Sequence, residues 1–74
     1  MLSGMSTQNR LREFRKARKL NQTALSTSAG VSQGSISKIE NGRIPEIDTA
    51  QKLARALGLR VDTVFPAFSV SVKP

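Results

Sequence analysis

The sequence predicts an all-α domain of five short helices. Three observations carry that prediction. Apolar residues recur at helical spacing, most clearly as Ile47, Ala50, Leu53, Ala54 and Leu57. Side chains that cap helix N-termini and glycines that end helices divide the chain into short segments. The period-two alternation of a strand appears only in the final stretch, AFSVSVKP.

Residues 1–6 are small and polar and read as a loose arm. Good helix formers run from Thr7 to Lys19, with Leu11 and Phe14 on one face, and predict helix one. Asn21 is a favoured N-cap, so Gln22 to Ala29 reads as helix two with Leu25 inward, ended by Gly30. Ser32 is a second N-cap. It opens helix three, Gln33 to Glu40, which Gly42 ends. That helix is weak by propensity, since it holds Gly34, serines and two β-branched isoleucines. After the Arg43-Ile44-Pro45 loop, the stripe from Ile47 to Leu57 predicts helix four, stopped by Gly58. Val61 to Phe65 gives about one more turn, which Pro66 cannot continue. The domain is therefore expected over residues 7–66, followed by a tail over 67–74. In that tail Phe68, Val70 and Val72 alternate with Ser69, Ser71 and Lys73, the pattern of a short C-terminal β-strand.

Composition narrows the function. Seventy-four residues make one domain at most. The chain has no cysteine and no histidine, which removes disulfides, thiolate metal sites and the commonest general base. With five carboxylates in all, an enzyme is not expected, nor a metal or other cofactor. Twelve basic residues give a net charge of +7, and six of them crowd between Arg10 and Lys19. Such clustering is the footprint of a polyanionic partner. On charge alone, a solvated basic helix explains it equally well. No apolar run reaches the length of a membrane span, and no signal-peptide core is visible, so a cytoplasmic protein is expected. Tyrosine and tryptophan are absent, which argues against base-stacking platforms for single strands.

Two short helices joined through one glycine, with a serine opening the second, describe a helix-turn-helix formed by helices two and three. From Leu11 to Phe65 the chain resembles the lambda-repressor-like, Cro-type helix-turn-helix family. The residues that carry the resemblance are Leu20-Asn21-Gln22, Leu25, Gly30-Val31-Ser32, Ile36-Ser37-Lys38-Ile39-Glu40-Asn41-Gly42, Pro45, Leu53-Ala54, Ala56-Leu57-Gly58 and Val61. Two positions depart from the family pattern: Ser26 stands where alanine is usual, and Arg60 where a serine or aspartate cap is common.

The resemblance implies sequence-specific binding of double-stranded DNA, with the N-terminal part of helix three in the major groove. It places Gln33, Gly34 and Lys38 on base-reading positions, with Ser35 and Ser37 beside them. Glutamine can bond adenine N6 and N7, and lysine guanine O6 and N7. Lys38 serves a phosphate equally well. Gly34 has no side chain with which to read. It contributes nothing, or lets the helix sit closer, or clears a thymine methyl. The same resemblance implies phosphate contacts from Asn21 and Gln22 at the start of helix two, and from Asn41 and Arg43 after helix three. For Asn41 a local role at the helix end competes. Arg15 and Glu40 match a family ion pair linking helices one and three, a structural rather than a reading pair. Ser35-Ile36-Ser37-Lys38 also fits S-x-x-K, but the companion elements of that catalytic signature are missing.

One reading helix covers few base pairs, so the resemblance implies a homodimer on a palindromic operator, acting as a prokaryotic or phage-encoded repressor. Val61, Val64, Phe65 and Phe68 are the apolar residues expected to be exposed for a dimer contact. A lone strand has no partner in a five-helix chain, so Phe68, Val70 and Val72 are expected to pair with a second copy or to remain unordered. A second reading makes the protein the antitoxin of a toxin–antitoxin system, with a toxin protein as its partner. A third, an RNA-binding or membrane-surface basic helix, explains none of the spacing in helix three.

Overall fold

The structure, a computed structural model, describes residues 9–66 and residue 68. Their elements are α1 (Leu11–Ala17), α2 (Gln22–Ala29), α3 (Gln33–Glu40), α4 (Ile47–Leu57) and α5 (Val61–Val64). No strand occurs among the described residues. Each helix is short and contributes a few apolar side chains to one core. Leu11, Leu25, Val31, Ile36 and Ile39 meet Ala50, Leu53, Ala54 and Leu57 of α4, closed by Val64 and Phe65.

The local chemistry explains the boundaries. Asn21 accepts the Ala24 N–H at 2.7 Å and caps α2. Ser32 accepts the Ser35 N–H at 3.1 Å and caps α3. Between them Gly30 adopts φ 73°, a left-handed backbone that glycine reaches without steric cost. This swings the chain from α2 into α3. Ile36 is fully buried and Ile39 nearly so. Tertiary packing thus supplies the stability that the composition of α3 withholds.

Helix one differs from its expected span. Asn9 and Arg10 precede it without being helical, and it ends at Ala17 rather than Lys19. The cause of the early end is Lys19, which takes a left-handed φ of 58°. Its N–H bonds to the Lys16 carbonyl at 2.9 Å, and the Leu20 N–H reaches the Arg15 carbonyl at 3.2 Å. This is the paired closure of a Schellman motif, with lysine where glycine is usual. The turn directs Leu20 back against the core.

Two apolar expectations are corrected. Ile47 opens the α4 stripe but is 46% exposed, because the first residue of the helix lies beyond the edge of the core. Val64 and Phe65 are not exposed: they are 0% and 1% accessible and complete the core. The α5 turn folds back on α4, and the Arg10 N–H donates to the Val64 carbonyl at 2.9 Å, tying the end of the domain to its start. A domain this small has little apolar surface to spare, so its late aromatic residue goes inside. Phe68 is half-buried, with its ring edge-on to Phe65 at 6.2 Å and its N–H bonded to the Phe65 carbonyl at 2.9 Å. The chain therefore turns at the first residue of the expected strand. Val70 and Val72 lie outside the described residues.

Candidate nucleic-acid interface

α3 presents two faces. Ile36 and Ile39 point into the core, while Gln33, Gly34, Ser35 and Lys38 are exposed and Ser37 is half-buried. The five residues expected to meet bases thus lie together on the first turns of one helix. Helix N-termini carry unpaired N–H groups and a positive dipole end, which suits an anionic ligand. Gln33 is steadied loosely across the helix-turn-helix: the Thr23 hydroxyl donates to its Oε1 at 3.4 Å. Ser35 Oγ and Ser32 Oγ are 3.0 Å apart at the helix cap. Lys38 makes no ion pair among the described residues.

The end of α3 is anchored by Glu40. Its side chain is fully shielded from solvent. Arg15 Nε donates to Oε2 at 2.6 Å and Arg15 Nη2 to Oε1 at 3.1 Å, a forked pair. Arg12 Nε donates to the same carboxylate at 3.2 Å, and Gln22 Nε2 at 3.1 Å. Arg15 also donates from Nη1 to the Leu20 carbonyl at 2.8 Å. Burial pushes the Glu40 carboxyl upward, but the bonds from Arg15, Gln22 and Arg12 outweigh it and hold it below the usual carboxylate range. The bond to Glu40 raises Arg15 in turn, against the cost of burial. One carboxylate therefore joins α1, α2 and α3 and fixes the angle at which α3 leaves the body. Asn9 adds a hydrogen bond from Nδ2 to the Ile39 carbonyl.

The four residues expected at phosphates divide. Asn21 is the α2 cap through Oδ1. Gln22 is half-buried and spends one amide N–H on Glu40, leaving its other N–H and the start of α2. Asn41 Nδ2 bonds the Ser37 carbonyl at 2.9 Å, the local role that competed for it. Arg43 is exposed, without an ion pair among the described residues, and lines one groove with Ser35, Lys38, Ile39, Ile44, Pro45, Glu46 and Thr49, so the groove holds one acidic side chain beside its two cations.

Sequence reasoning missed Arg12 and Gln22 as partners of Glu40, and Thr23 as the neighbour of Gln33. Arg12 precedes Arg15 by three residues and shares its helix face, a spacing that signals a common target. Nothing local marks Thr23, because its contact with Gln33 exists only once the turn is built.

Charge is sorted over the surface. Glu40, Glu13 and Asp62 are each paired with arginine. Lys16, Arg18, Lys19, Lys38 and Arg43 have no acidic partner within ion-pair distance among the described residues. Arg60, a poor N-cap, makes no cap bond and instead lies 3.2 Å from Asp62 in the first turn of α5. No helix among the described residues is long and apolar enough to cross a membrane.

Residues 11–64 match the family model described as "Helix-turn-helix". The chain is 42% identical over 59 residues to the uncharacterized HTH-type transcriptional regulator RghRB of Bacillus subtilis (strain 168), covering 77% of this chain and 42% of that protein. It is 49% identical over 49 residues to the HTH-type transcriptional repressor RghR of the same organism, covering 64% of this chain and 36% of that protein. The chain thus spans about two fifths of the length of these curated relatives.

Proposed function

The chain belongs to the Cro/CI-like helix-turn-helix family, and from that premise we propose that it is a DNA-binding transcriptional regulator. It is not an enzyme. In finer terms, it is a repressor that binds a palindromic operator as a homodimer, with α3 in the major groove. The observation that carries this reading is the division of α3. Its inner face and its final glutamate are fully engaged, while Gln33, Gly34, Ser35 and Lys38 are left exposed on one surface. The similarity to RghR, a transcriptional repressor, supports repression as the mode of action.

In this reading Gln33 and Lys38 contact base edges, and Arg43 and the start of α2 contact phosphates. A dimer brings two copies of α3 to half-sites about 34 Å apart. Val61 and Phe68, half-buried on one protomer, flank the surface offered to the second copy. The test is selection of binding sites from random duplex DNA, followed by electrophoretic measurement on the recovered sequence. The expected result is a short inverted repeat with half-site centres one helical turn apart. Recovery of no preferred sequence would overturn the proposal.

A further inference from the structure

We infer that Gly34 is the point of closest approach between the α3 backbone and DNA, and that it determines specificity by lacking a side chain. The inference rests on the DNA-reading role proposed above.

Nothing within the described chain asks for glycine at this position. Gly34 does not have the positive φ seen at Gly30, Gly42 and Gly58, so its backbone suits any residue. A Cβ built there meets no atom within 4 Å. Glycine is also a poor helix former, and α3 is already weak. Alanine would serve the isolated protein at least as well. The residue is therefore explained by something outside the chain.

Its position says where that partner lies. At about 100° per residue, Gly34 is about 200° from Ile36 and about 140° from Ile39, opposite the buried face. It is exposed on the outer face of α3, and the space beside its Cα is open. Its neighbours on that face are small or flexible: Ser37 and Lys38 one turn on, with Ser35 at the flank. One position without a side chain thus lies on the outer face of the helix between Gln33 and Lys38. A base edge in the major groove fits there, with Gln33 and Lys38 closing on its neighbours. A methyl at position 34 would stand between the helix and that edge, and would lift both reading side chains away from their partners.

The experiment uses the full chain and its Gly34→Ala variant. It reads Tm, and Kd for the operator selected by the wild type and for a scrambled duplex of equal length. The expected Tm is equal to or above that of wild type. Operator Kd is expected to rise about tenfold or more, the size of one lost good base contact. Kd for the scrambled duplex is expected to stay within about twofold, because phosphate contacts are spared. Unchanged operator affinity, an equal loss on both duplexes, or a lowered Tm overturns the inference and leaves the DNA-binding reading standing. A wild-type protein that selects no duplex sequence removes that reading, and this inference with it.

Discussion

The Glu40 carboxylate accepts hydrogen bonds from Arg12 and Arg15 on α1 and from Gln22 on α2. Its shielding makes the arrangement sensitive to truncation. Glu40→Ala leaves the buried Arg15 guanidinium without its counter-charge, and we expect a loss of about 3–5 kcal/mol in urea unfolding. The pH dependence has a definite sign. The folded carboxyl lies below its ordinary value of 4.5, so the unfolded chain takes up the proton first as pH falls. The stabilisation is complete above that ordinary value and disappears as pH drops through the depressed folded one. Thermal melts of wild type and Glu40→Gln should therefore converge on acidification below about pH 4.5. Parallel curves would show that the carboxylate charge is not what Arg15 and Arg12 hold. At the same scale, Gln33 and Gly34 contrast. Gln33 announces itself by chemistry in the sequence. Gly34 becomes informative only when the space around it is known.

Among the elements, α2, α3 and α4 were legible because their signals are local. Asn21 and Ser32 mark helix starts, and Gly30 and Gly58 sit where left-handed ends are needed. The end of α1 was not legible, because its left-handed residue is a lysine inside a run of good helix formers. α5 failed for another reason. Four residues are too few to reveal which face is buried, so Val64 and Phe65 read as surface when they close the core. The α1 ending also gives a stability test. Lys19→Gly relieves the left-handed cost of a side chain but frees the unfolded chain, for a net gain of about 0.5–1 kcal/mol. A calorimetric Tm raised by a few degrees is expected. A lowered Tm would mean that the lysine side chain stabilises the turn by more than its backbone costs it.

At the scale of the whole molecule, a +7 chain neutralises its one carboxylate on α3 and leaves its unpaired cations outward. The core and the Glu40 network tie the helix-turn-helix to the rest of the domain. The residues that would read DNA take little part in that work. Reading and stability are thereby separable, which makes substitutions on the outer face of α3 interpretable. The most direct measurement is the operator affinity of wild type, Gln33→Ala and Lys38→Ala on the selected operator and on its single-base-pair variants. Each substitution should leave Tm unchanged and cost about 1–3 kcal/mol of discrimination, confined for Gln33→Ala to one base pair of each half-site. Full discrimination retained by both variants would contradict the assignment of α3 as the reading element.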